Sequence, residues 1–121
     1  MTTLDPSISW AVLAPLPARE LERLAEREWR REFPAAIDPP PWTAIQGRHE
    51  YNALVSRSPG AEGGDRHFAE ILSGLVDEPV YSLWLDPERQ AIFRWASGQT
   101  SSPAGDPFRL AESLGFTVSE P

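Results

Sequence analysis

The sequence predicts an α+β domain in which one antiparallel or mixed sheet of about four to six strands carries three helices, packed mainly on one face. Three observations lead there. Two segments repeat apolar residues at helical spacing, two short β-rich runs near residues 80–96 flank a turn sequence, and no internal repeat imposes a regular alternation of strand and helix.

The first strand is expected over residues 7–14, where Ile8, Trp10 and Val12 alternate with Ser9, Ala11 and Leu13 until Pro15 ends the run. A helix follows over residues 17–33: Pro17 suits a first helical turn, Glu20 and Glu22 lie near the positive end of the helix, and Pro34 stops it. Leu21, Leu24, Ala25, Trp29 and Phe33 recur at steps of three and four residues, so one stripe of this helix has to be buried against a sheet.

Residues 34–42 contain Pro39, Pro40 and Pro41, which lack backbone donors and favour an extended connector. Between residues 43 and 57 two patterns compete. Ile45 and residues 51–55 make two short strands around Gly47, whereas Tyr51, Leu54 and Val55 also fit one helical face; the strand pattern is preferred. Residues 58–64 are rich in glycine and read as a flexible loop.

Asp65 can cap a second helix whose stripe is Phe68, Ile71, Leu72, Leu75 and Val76, before Pro79. Residues 80–85 and 90–96 then form a hairpin across Asp86-Pro87-Glu88-Arg89, which favours a type I turn. Val80 and Trp84 fall on one face of its first strand, and Tyr81, Leu83 and Leu85 on the other. Apolar groups on both faces mark an interior strand. A second flexible loop, 98–105, leads to a helix capped by Asp106, opened by Pro107 and ended by Gly115, with Phe108, Leu110, Ala111 and Leu114 inward. Phe116–Val118 is read as a final edge strand.

A chain of 121 residues suits one domain with a single core. Composition then excludes whole chemistries. With no cysteine there is no disulfide, thiolate zinc site or iron–sulfur cluster. All 11 basic residues are arginine, so Schiff-base chemistry, pyridoxal phosphate attachment and the phosphate-loop lysine are absent too. Arginine in place of lysine, with abundant Ala, Gly and Pro, is the mark of a GC-rich coding sequence and points to a bacterial source. The net charge of −7 disfavours a nucleic-acid partner and suits a protein partner with a basic surface. Neither a cationic leader nor a membrane-length apolar run is visible, so the expected location is cytoplasmic, away from membranes.

His49 and His67, with Glu70, are the candidates for a two-His-plus-carboxylate metal site. Only the His67–Glu70 spacing places two of them together, and no HExxH pattern occurs. No metal, cofactor or catalytic residue is therefore assigned. Serines lie outside any G-x-S-x-G elbow, and the glycines at 60–64 lack the lysine and spacing of a phosphate loop. Arg19, Arg23, Arg27 and Arg31 form a cationic row on the first helix. Glutamates flank it, predicting pairs such as Glu20 with Arg23 and Glu26 with Arg30.

Five tryptophans are many for this length, and most should be core. Trp42, Trp84 and Trp95, with Arg23 and Arg27, are the residues expected to make contacts. The leading functional expectation is a non-enzymatic protein-binding module, matching the compositional profile of small acidic inhibitor or immunity-type proteins. Two other readings compete with it: a regulatory domain with an aromatic ligand pocket, acting as a homodimer, and a hydrolytic or metal-dependent enzyme using His49 and His67.

Overall fold

Residues 2–4, 8–32, 34–35, 42–47, 50–56, 64–84, 91–101 and 107–118 are described by a computed structural model of the chain. Its centre is β2 (Trp10–Ala14), in which all five residues are buried. β2 lies between β4 (Asn52–Ser56) and β5 (Val80–Trp84) and pairs antiparallel with both. Outward on one side is β3 (Trp42–Gln46), and on the other β6 (Ala91–Ala96) and β7 (Gln99–Ser101). The six-stranded order is β3-β4-β2-β5-β6-β7, antiparallel throughout. β1 (Thr2–Leu4) and β8 (Phe116–Val118) form a separate parallel pair.

Alternation along β2 sends side chains to two cores. Trp10, Val12 and Ala14 meet Leu21 and Ala25 of α1 (Ala18–Glu32) and Phe68, Ala69 and Leu72 of α2 (Gly64–Ser73). Ala11 and Leu13 belong to the opposite cluster, with Leu4, Ile8, Phe116 and Ala111 of α3 (Pro107–Ser113). On the first face α1 lies over β3 and β4, and α2 over β2, β5 and β6. The α1 stripe follows the expected period: Leu21 and Ala25 are buried and Leu24 is half-buried, and the Leu21 N–H donates to the Pro17 carbonyl at 3.0 Å. The side chains of Trp29 and Phe33 lie outside the described residues. So do residues 85–90, which hold the expected Asp86-Pro87 turn, and Asp106.

The hairpin at 42–56 resolves the competition between strand and helix in favour of two strands. Asn52 is buried there with its amide satisfied. Its Nδ2 donates to the Leu16 carbonyl at 2.6 Å, and its Oδ1 accepts the Gly47 N–H at 3.2 Å. Gly47 has to be glycine because a Cβ there would sit 2.6 Å from the Tyr51 carbonyl oxygen and inside the Phe116 ring's contact surface.

Thr2–Leu4 is a strand that the sequence pattern does not signal, and five expectations are corrected. Trp42 opens β3 instead of closing the connector, and Gly64 is the first residue of α2, so Asp65 stands inside the helix. α2 stops at Ser73, short of Leu75: the Gly74 and Leu75 N–H groups turn back to the Ile71 and Leu72 carbonyls, which tightens and closes the last turn. The loop expected at 98–105 contains β7. Ser97 and Gly98 both have positive φ, 50° and 79°, which gives the two-residue turn whose twist suits a hairpin. Finally, Phe116–Val118 pairs with Thr2–Leu4 and is not an edge of the main sheet.

Candidate functional site

Cross-strand register gathers the tryptophans. Trp42, Ser56, Trp10 and Trp84 follow one another across β3, β4, β2 and β5 on the face covered by α1 and α2. Trp10 is fully buried, while Trp42 and Trp84 are half-buried at either side of it. Phe68 seals the row from α2: its ring is 4.7 Å from Trp42 in an edge-on arrangement and 6.4 Å from Trp10. Such contacts hold α2 to the sheet by aromatic packing as well as by buried area. Trp84 Nε1 is buried with no hydrogen-bond partner among the described residues. Trp95 is only 7% exposed, and its Nε1 donates to the buried Ser82 hydroxyl at 2.8 Å.

Arg23, Arg30 and Arg31 of α1 pair with glutamates of their own helix. Arg23 donates to Glu20 through Nε and Nη2, at 2.9 and 2.6 Å, and this hydrogen bonding is the main cause that holds the Glu20 carboxyl below its ordinary range. Arg27, exposed one turn further on, adds a smaller charge effect in the same direction. Arg30 stands 3.9 Å from Glu26 and Arg31 3.9 Å from Glu28. At this exposure the pairs order the surface and add little stability.

His49 lies outside the described residues, and for His67 only its backbone place on α2 is described. Glu70, one turn beyond, is exposed. Among the described residues no three His, Cys, Asp or Glu side chains come together as a metal cage. On the opposite face Tyr51 donates its hydroxyl to the Pro79 carbonyl at 2.6 Å. Burial, reinforced by Tyr81 and the charge of Glu78 and partly offset by Arg94, pushes its phenol up to about 12. Tyr51 is a neutral donor at physiological pH.

The feature that sequence periodicity conceals is the corner between α2 and β5. Because α2 closes at Ser73, Leu75 leaves the apolar stripe and is 57% exposed, the one large apolar side chain so exposed among the described residues. Glu70 precedes it, and Asp77 and Glu78 follow. All three are exposed, and none is in an ion pair among the described residues. The last turn of α2 carries no basic residue. Ser73 secures the corner: its hydroxyl donates to the Glu70 carbonyl at 2.9 Å and accepts the Gly98 N–H at 2.9 Å, tying the helix end to the β6–β7 turn. Charge counting along the sequence shows these carboxylates, but only the helix end shows that an apolar group near them in sequence is exposed.

No protein-family model, no curated protein and no solved structure matches this chain. Among the described residues no helix is long and apolar enough to cross a membrane.

Proposed function

We propose that this chain is a non-enzymatic protein-binding module that covers a basic surface on another protein, as small inhibitor or immunity-type proteins do, and that its contact region is the α2–β5 corner. The observation that carries this reading is Leu75, exposed on a hydrogen-bonded turn, with the exposed carboxylates Glu70, Asp77 and Glu78 close to it in sequence. Interfaces concentrate their energy in apolar anchors surrounded by a polar rim, and charges of one sign on that rim steer a partner of the other. A corner already fixed by the Ser73 bonds loses little freedom on binding. Trp95, with its indole nitrogen engaged inside the sheet, serves the fold. Trp42, Trp84, Arg23 and Arg27 form a second contact region for a partner broad enough to reach α1 and β3.

The absence of lysine makes the test directional. A carbodiimide couples carboxylates to amines, and this chain has no amine of its own except its N-terminus. Cross-links from residues 70, 77 and 78 to lysines therefore report another protein. In extracts of cells expressing the chain, such cross-links are expected to identify one partner with a basic surface. Leu75→Ser should abolish the capture while leaving the melting temperature unchanged. No specific partner retained at native salt, or capture unaffected by Leu75→Ser, refutes the reading.

A further inference from the structure

We infer that Ser73 and Tyr51 are the two positioning residues of the contact corner, each holding one end of the segment 74–79 by a side-chain hydrogen bond. The inference rests on the reading of that corner as the contact region. Leu75, Asp77 and Glu78 all lie on this segment, and none of its six residues is buried. Val76 is half-buried against the core beneath α2, and no other side chain of the segment joins either core cluster. Packing therefore does little to fix the segment, and its order has to come from its ends.

At the front of the segment stands Ser73, which is buried. Its hydroxyl has one proton, directed to the Glu70 carbonyl, so toward the Gly98 N–H it acts as acceptor. A serine bonded back to a carbonyl of the preceding turn is common in helices. Here the remaining lone pair takes a donor 25 residues further along the chain. Gly98 lies in the two-residue loop between Ala96 and Gln99, the last pair of the β6–β7 ladder, so its N–H is outside the ladder and available to α2. Without Ser73 the helix end would be closed by the Gly74 and Leu75 N–H groups, whose tight-turn bonds have poorer geometry than α-helical ones.

At the rear, the Tyr51 hydroxyl donates to the Pro79 carbonyl at 2.6 Å. Tyr51 is buried in the core on the face opposite α2, with its ring 6.2 Å from that of Tyr81. Proline has no N–H, so the carbonyl is the one backbone polar group by which residue 79 can be held. Glu78 lies close enough for its charge to bear on the Tyr51 phenol, so the ring that holds the segment also stands near a proposed contact carboxylate. The two anchors come from opposite faces of the sheet. A partner then meets a segment already ordered, which lowers the cost of binding.

Amide order parameters and hydrogen exchange of the full chain test this without a partner. In the unmutated chain residues 74–78 should show order parameters of about 0.85. Ser73→Ala should lower them toward about 0.6 at 74–76 and speed exchange at Gly74, Leu75 and Gly98 by about fivefold or more, while Tyr51→Phe should lower order at 77 and 78. The Leu21 and Ser9 amides, bonded to the Pro17 and Ser56 carbonyls, serve as references and should change no more than global stability does. Both variants retain every proposed contact side chain at the corner, so carbodiimide capture of a partner that Leu75→Ser loses should fall by about fivefold or more in each. Unchanged order at 74–78, or losses spread evenly over the reference amides, overturns the inference whatever the capture. Order lost while that capture is kept overturns it as well. Capture unaffected by Leu75→Ser refutes the contact reading, whereas the order measurements judge the two anchors separately, so the two failures are told apart.

Discussion

Ser82→Ala should destabilise the fold by about 2 kcal/mol, although it removes a single oxygen. Ser82 is fully buried on β5, and its hydroxyl accepts the Trp95 indole N–H at 2.8 Å. The change leaves almost no cavity, so the hydrophobic contribution is small. What remains is a buried donor without an acceptor, which costs about 1–3 kcal/mol. For a domain of this size about 4 °C of melting temperature corresponds to each kcal/mol, so a fall of about 8 °C is expected by calorimetry, with urea unfolding as the second measure. Trp95→Phe removes the donor as well as part of the ring. In a double-mutant cycle the two changes should therefore be less than additive, with a coupling of about 1 kcal/mol or more. A single-mutant loss below about 0.5 kcal/mol, or strict additivity, would show that this bond does not stabilise the sheet as argued.

Two glycines separate steric from conformational cost. Gly47→Ala drives a methyl against the Tyr51 carbonyl and the Phe116 ring and should cost about 3 kcal/mol, whereas Gly98→Ala has open space around its Cβ and should cost only about 1 kcal/mol for its positive φ; equal losses in urea titrations would contradict both. For Tyr51, native stability should fall between about pH 10 and about 12. The unfolded chain releases the phenolic proton near the ordinary value, while the native chain retains it to about 12 and so binds more protons across that window. Near-ultraviolet titration should show one tyrosine ionising late, and Tyr51→Phe should remove both that late step and its share of the alkaline loss; a Tyr51 that ionises near 10 refutes the burial argument.

The parts of the fold legible in sequence are those whose period is set by burial over several residues. Leu21 and Ala25 mark the inner face of α1, and Val80, Tyr81, Leu83 and Trp84 mark both faces of β5 as an interior strand. Shorter elements depend on partners far away. Thr2–Leu4 is a strand only because Phe116–Val118 lies beside it, with Thr3 and Thr117 bonded through their hydroxyls at 3.3 Å across nearly the whole chain length. β7 escaped notice because Ser97 occupies a position where asparagine or glycine is the usual signal. Leu75 misled for a deeper reason. Periodicity continues through Gly74 whether or not the backbone stays helical, so it predicts burial for a residue that the closing turn exposes.

Charge shows the same division between composition and arrangement. The sequence has a net charge of −7, but over α1 the two signs cancel, with Arg23, Arg30 and Arg31 pairing within the helix, while at the α2–β5 corner the carboxylates stand without counter-ions among the described residues. At physiological ionic strength the screening length is about 8 Å, so an approaching protein senses the local charges and little of the total. The proposed contact corner is then governed by Glu70, Asp77 and Glu78 and little by the total charge. Added salt should therefore slow capture of the proposed basic partner and lower its affinity, because it screens these carboxylates. Measuring capture in a salt series is the check, and capture indifferent to salt would mean that the corner's charge does not steer the partner.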